Sequence, residues 1–152
     1  MTMPKQASLD LLDADEVTER YFRPVEGHYL DQALDRALFF LSQGLTERAT
    51  IMLEVLTRLE PDNPRVTLSY VEALIEYGAR EEAKSELANA RFVQLSEEAA
   101  LLEAIILIRL QQPKYAQLIL ESLLKPSAAT PARVRHKARL KLRGIAREQD
   151  SP

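Results

Sequence analysis

Catalysis by side chains needs a group that can gain or lose a proton at an accessible pH, held beside a partner. The chain has two histidines, His28 and His136, far apart and each without a second histidine nearby. It has no cysteine, so no thiolate zinc set and no disulfide can form. Its four glycines, Gly27, Gly44, Gly78 and Gly144, stand singly, which leaves no glycine-rich loop to cradle a phosphate. The acid pairs Glu81-Glu82 and Glu97-Glu98 fall at predicted helix starts, where carboxylates match the positive end of the helix dipole. The expectation is a non-enzymatic protein with no catalytic residue, no metal and no cofactor.

The remaining charged feature is a basic tail. Arg133 to Arg147 holds seven Lys/Arg and no acid, whereas the first 132 residues hold 13 basic and 21 acidic groups. Val134, Ala138, Leu142 and Ile145 form an apolar stripe through it at spacings of four, four and three. That pattern predicts an amphipathic helix that caps the fold, with Arg135, Arg139 and Arg143 on a basic face. Binding of an acidic partner, an anionic membrane or nucleic acid is the competing use of that face. Nucleic acid is disfavoured because the tail has no aromatic residue to stack on bases and the rest of the chain is acidic.

The elements that would position these groups read as helices throughout. Ser8 to Phe22 is a candidate helix, with Pro24 and Gly27 as punctuation after it. A helix over about 26–43 ends at Gly44, and Thr46 is placed to cap its partner. Asn63-Pro64 is a cap followed by proline at the first helical position, for a helix to Tyr77. Further helices are predicted over 80–94, over 97–111 with Ser96 as cap, and over 114–124 after Pro113. Thr130-Pro131 reads as another cap-and-proline start, for a last helix to about Arg147. No strand pattern competes.

Composition agrees with a folded domain. At 152 residues with 46% hydrophobic and 28% charged side chains, the chain can bury a core as a single domain. The start MTMPKQASLDLLDADEVTERY lacks the basic-then-apolar order of a secretory signal, and AALLEAIILIRL is too short and too charged to span a bilayer. The expected location is cytoplasmic, with the membrane disfavoured as a partner.

One number organises the middle of the chain. Gly44 and Gly78 are 34 residues apart, and Ala49/Ala83 and Leu53/Leu87 repeat the offset. Self-similarity at this period marks stacked helical pairs, in which no unit buries its apolar face alone.

The stretch resembles the tetratricopeptide repeat (TPR) family. Phe40, Gly44, Ala49, Leu53 and Pro61 fit the family's places in a first copy, and Gly78, Ala83, Leu87 and Ala90 in a second. In a third, Ala104 and Ala116 fit, but the turn QQPKY has no glycine and is one residue short. The family's early Trp and its Leu-Gly pair are absent. The resemblance implies an all-α, right-handed superhelical array of three repeats, 30–63, 64–97 and 98–124. Residues 1–29 would be an N-terminal arm or cap, 130–147 the basic C-terminal helix, and 148–152 a tail.

In this family the first helix of each repeat lines a concave face. Carried over at a spacing of 34, the groove places are Leu34, Leu38 and Leu41, then Leu68 and Ile75, then Leu102, Ile106, Arg109 and Leu110. So large an aliphatic wall implies a partner: an apolar or amphipathic segment of another protein, or a second copy. Size, acidity and layout are similar to TPR-type chaperones of bacterial type III secretion, which shield a hydrophobic subunit. The alternatives are a structural scaffold that self-associates or sits permanently in an assembly, a basic-tail adaptor, and a groove filled by the chain's own terminal segments.

Overall fold

The computed structural model describes residues 27–90, 92 and 95–150. The candidate helix at Ser8–Phe22 lies outside them. The described residues form seven helices and no strand: α1 (Gly27–Ser42), α2 (Thr46–Leu59), α3 (Pro64–Tyr77), α4 (Arg80–Asn89), α5 (Glu97–Arg109), α6 (Pro113–Leu123) and α7 (Ala132–Gln149). The chain read as a single domain divides into two compact units, Met1–Ala90 and Arg91–Pro152.

In the first unit each helix packs on the next, α1 on α2, α2 on α3 and α3 on α4, and α1 also touches α3. The apolar spacing explains this order. Leu53, Leu56, Leu68 and Leu74 are completely or almost completely buried, each contributing about 1.5–3 kcal/mol against exposure. Asn63 caps α3 as predicted, its Oδ1 accepting from the backbone N–H of Arg65 at 3.1 Å and of Val66 at 3.5 Å. Thr46 does not cap α2. It is the first helical residue, behind Leu45, and its hydroxyl donates back to the Gly44 carbonyl at 3.3 Å. The predicted helix 80–94 ends early, at Asn89, with Ala90 extended. Only Ala83 of α4 is fully buried, and a short helix with so little packing has nothing to hold further turns.

In the second unit α5 packs on α6, and α7 packs on both. Ser96 caps α5 by accepting from Ala99 N–H at 3.2 Å. The predicted cap Thr130 fails: Pro131 occupies the capping place of α7, and the Thr130 hydroxyl is buried with no hydrogen-bond partner among the described residues.

The three helix-to-helix turns share one hydrogen-bond pattern. Gly44 N–H donates to Leu41 C=O at 3.1 Å and Leu45 N–H to Phe40 C=O at 2.9 Å. Gly78 donates to Ile75 at 3.1 Å and Ala79 to Leu74 at 2.8 Å. Gln111 donates to Ile108 at 3.1 Å and Gln112 to Leu107 at 2.9 Å. This paired arrangement closes a helix on one left-handed residue, and φ is +77° at Gly44, +93° at Gly78 and +62° at Gln111. Gln111 therefore stands where the first two turns have glycine, 33 residues after Gly78.

Counted from these turn residues, the three helix pairs repeat the same core places. Ten before the turn stand Leu34, Leu68 and Leu101, all buried; seven before stand Ala37, Val71 and Ala104, none exposed. Five after stand Ala49, Ala83 and Ala116, again with no exposure. Nine after stand Leu53 and Leu120, fully buried, and Leu87, half-buried. Small side chains at both the seven-before and five-after places let paired helices approach closely.

Candidate functional site

The nine predicted groove residues divide by burial. Leu34, Leu68, Ile106 and Leu110 are between 0% and 3% exposed. They belong to the core and offer nothing to a partner. Leu38, Leu41, Ile75, Leu102 and Arg109 are half-buried.

The third-copy assignments need a shift of one residue. A spacing of 34 selects Leu102, Ile106 and Arg109, but the third turn comes at 33. The residues that share the turn-relative places of Leu68, Glu72 and Ile75 are Leu101, Ile105 and Ile108. A one-residue shift rotates a helix by about 100°, which is why Ile106 faces the core whereas Ile105 and Ile108 are half-buried.

What remains partly exposed in each unit is narrower. Six and three residues before the turn stand Leu38 and Leu41 on α1, Glu72 and Ile75 on α3, and Ile105 and Ile108 on α5, all half-buried. Leu45, the residue after the first turn, is 45% exposed. Within the first unit α1 and α3 are neighbours, and Arg65 of α3 lies 3.8 Å from the Asp35 carboxylate of α1. The first unit thus presents three aliphatic side chains on adjoining helices, beside a solvent-exposed ion pair.

The basic face also divides. The stripe behind it forms as predicted: Val134, Ala138 and Ile145 are buried and Leu142 half-buried, against α5 and α6. Arg139 and Arg143 are exposed. Arg135 is not a free cation. Its guanidinium donates to the carbonyls of Ala128 at 2.8 Å, Thr130 at 3.2 Å and Lys125 at 3.3 Å. It ties together three carbonyls of the α6–α7 connection, of which that of Lys125 also accepts from the Ala128 N–H at 3.0 Å. Arg133 pairs with Glu98 across α7 and α5.

Two titratable groups are shifted. Burial, followed by the carboxylates of Glu54, Glu86 and Glu82, pushes the Tyr70 phenol up, with Arg58 opposing weakly. Burial alone pushes the Glu103 carboxyl up. Both stand eight residues before their turns, at the same place in α3 and α5. His136 is exposed on α7. Among the described residues no group of three His, Asp or Glu is arranged to hold a metal ion, and no helix is long and apolar enough to cross a membrane.

Sequence periodicity missed several exposed apolar side chains: Phe39 at 59%, Tyr77 at 50%, Tyr115 at 64% and Leu118 at 66%. Nothing in their spacing separates them from core positions. The Ile105–Ile108 pair could have been found, since Ala116 and Leu120 repeat the Ala83 and Leu87 places at an offset of 33. No protein-family model matches this chain, and no curated protein matches it.

Proposed function

We propose that this chain is a helical-repeat protein of the tetratricopeptide type that binds another protein. Its first two helix pairs stack in the right-handed sense of that family. The occupied site is the row formed by Leu38 and Leu41 of α1 with Ile75 of α3, and its occupant is an apolar or amphipathic helix of a partner. The observation that carries this reading is the recurrence of a partly exposed aliphatic residue three places before each turn, Leu41, Ile75 and Ile108, where the core places ten and seven before are buried. A helix laid on such a row reaches it through anchors three and four residues apart.

The row is small. Three half-buried aliphatics give a modest apolar area, so specificity would come from shape and from the polar rim that includes Asp35, Arg65 and Glu72. The test is site-specific photo-crosslinking in the source cells. A benzophenone side chain at Leu38 or Ile75 should give the same discrete adduct, and one at Glu47, on the exposed side of α2, should give none. Equal labelling from all three positions, or no adduct from the first two, rejects this surface as the binding site.

A further inference from the structure

Charge is divided between the units. Among the described residues, the first unit holds eleven acidic and six basic side chains, and the second holds six acidic and ten basic. The surplus of the second unit lies on α7, which carries no acid before Glu148. Arg135 is held by backbone carbonyls and Arg133 by Glu98. Lys137, Arg139, Lys141, Arg143 and Arg147 are exposed and form no ion pair with a described residue.

These charges have a direction. Val134, Ala138 and Ile145 are buried, and α7 packs on α5 and α6. At about 100° per residue, His136, Arg139, Arg143 and Arg147 fall on the side away from that stripe, all exposed and spaced by three and four. Lys137 and Lys141 stand to one flank. From His136 to Arg147 the ridge is about 16 Å long, at a rise of about 1.5 Å per residue. Its three unpaired cations are all guanidinium groups, whose planar fork holds phosphate oxygens two at a time.

We propose that this ridge binds double-stranded DNA, seated along the major groove with Arg139, Arg143 and Arg147 on the bordering phosphates. The proposal is independent of the aliphatic row on α1 and α3, which belongs to the other unit. A strand of duplex DNA presents one phosphate about every 3.4 Å of axis, so the ridge spans about five of them. The major groove, about 12 Å wide, admits a helix about 10–12 Å across.

Other occupants fit worse. A partner protein needs an apolar core to its interface, and the ridge offers Leu140 alone. Exposed ion pairs by themselves are weak. On DNA each neutralised phosphate also releases condensed counterions, so affinity needs no apolar anchor. A bilayer lacks an inserting face, because the apolar stripe of α7 is consumed by α5 and α6. A single strand needs aromatic platforms, and α7 has no Phe, Tyr or Trp. Duplex RNA keeps its major groove too deep and narrow for side chains to read. The acidity that speaks against nucleic acid in the sequence as a whole belongs to the first unit. Its repulsion decays over a Debye length of about 10 Å at 0.1 M salt.

Fluorescence anisotropy of a labelled DNA duplex of about 20 base pairs, titrated with the full chain, tests this. Three phosphate contacts predict that log Kobs falls against log[salt] with a slope of about −2.7 between about 0.05 and 0.2 M. Arg139→Gln/Arg143→Gln should bring the slope to about −0.9 and weaken binding at about 0.05 M salt at least tenfold. Arg36→Gln/Arg80→Gln removes the same charge at exposed positions of the first unit and should leave the slope as it is. Circular dichroism checks that helix is retained. Should the α7 pair unfold, Arg143→Gln and Arg147→Gln singly must each flatten the slope by about 0.9. A wild type that leaves the duplex free at about 0.05 M salt overturns the proposal, as does a double variant that binds with the wild-type slope. The single strand of the same sequence, duplex RNA, phosphatidylserine vesicles and polyglutamate are titrated alongside. Tighter Arg139/Arg143-dependent binding of any of these overturns the proposal and assigns the ridge to that ligand.

Discussion

The first unit turns its helices on Gly44 and Gly78, and the second makes the same turn on Gln111. All three close with the same pair of backbone hydrogen bonds and set an alanine five residues later at zero exposure. What differs is the residue that must take a positive φ. Glycine does so without steric cost, whereas glutamine sets its Cβ against the backbone. The hydrogen-bond geometry and the packing beyond the turn therefore specify it, and glycine only makes it cheap. In the second unit the turn persists after its sequence marker is gone.

The largest effects should come from breaking the division between core and row. Ile106 in the second unit has no exposure, and Leu38 in the first is half-buried. Ile106→Asp places an unpaired carboxylate in the core and should cost about 4 kcal/mol or more, on the scale that is diagnostic of a buried charge. Leu38→Asp should cost about 1 kcal/mol, near the centre of the distribution for single substitutions. Urea unfolding of the two variants measures both. Similar midpoints would erase the distinction on which the candidate surface rests.

The shared register is tested next. Ala83 and Ala116 hold the same place five residues after their turns, and neither is exposed. Ala83→Leu and Ala116→Leu should each overpack a close helix contact at about 1–3 kcal/mol. Ala132→Leu, on the exposed side of α7, should stay within about 0.5 kcal/mol of the wild type. A costly change at Ala83 beside a harmless one at Ala116 would show that the third pair does not follow a 33-residue step.

How far the sequence disclosed the molecule follows the same contrast. Helix existence was legible nearly everywhere, because proline and glycine sit at the boundaries and the apolar spacing has one period. Asn63 and Ser96 were legible as caps, whereas Thr46 and Thr130 were not. A hydroxyl next to a helix start does not say which residue is the last non-helical one. The α4 end at Asn89 and the break between units after Ala90 were hidden, because Phe92, Val93 and Leu95 continue an apolar pattern in the sequence past the end of the helix. The candidate surface was half legible. Leu38, Leu41 and Ile75 came from copies with a glycine marker, and the third-copy residues slipped by one because Gln111 carries no such mark. Arg135 looked like any other arginine of the tail. Its carbonyl partners lie five to ten residues upstream in an irregular loop, where no periodicity applies.

A smaller effect compares the turns directly. An added Cβ at Gly78 would meet no atom within 4 Å, so the cost of a side chain there is conformational rather than steric crowding. Gly78→Gln should destabilise by about 1 kcal/mol, the penalty of a left-handed L-residue. Gln111→Gly should stabilise by a similar or smaller amount, since glycine also gains freedom in the unfolded chain. Thermal melts of both variants should move in opposite directions. A loss of stability in Gln111→Gly would mean that the glutamine side chain supports the turn through contacts of its own.

The smallest effect concerns the place eight residues before the turn. It holds a phenol in the first unit, Tyr70, and a carboxyl in the second, Glu103, both pushed up chiefly by burial. The consequence differs because the two groups ionise in opposite pH regimes. Tyr70 is neutral at pH 7 and its raised value has no effect there, so Tyr70→Phe should leave the pH dependence of stability unchanged from pH 4 to 8. Glu103 is raised above the carboxyl range of the unfolded chain. The folded state therefore holds its proton more tightly, and the stability this gives is full at acid pH. It is lost as pH rises from the ordinary carboxyl value through the folded one. Above that range the half-buried carboxylate is charged and partly desolvated, which works against folding. Glu103→Gln removes the titration while keeping the shape. It should melt higher than the wild type at pH 7, and the gap should narrow steadily towards pH 4. A gap that stays constant with pH would show that the gain comes from packing of the amide, and that burial of the charge at this place costs the fold nothing.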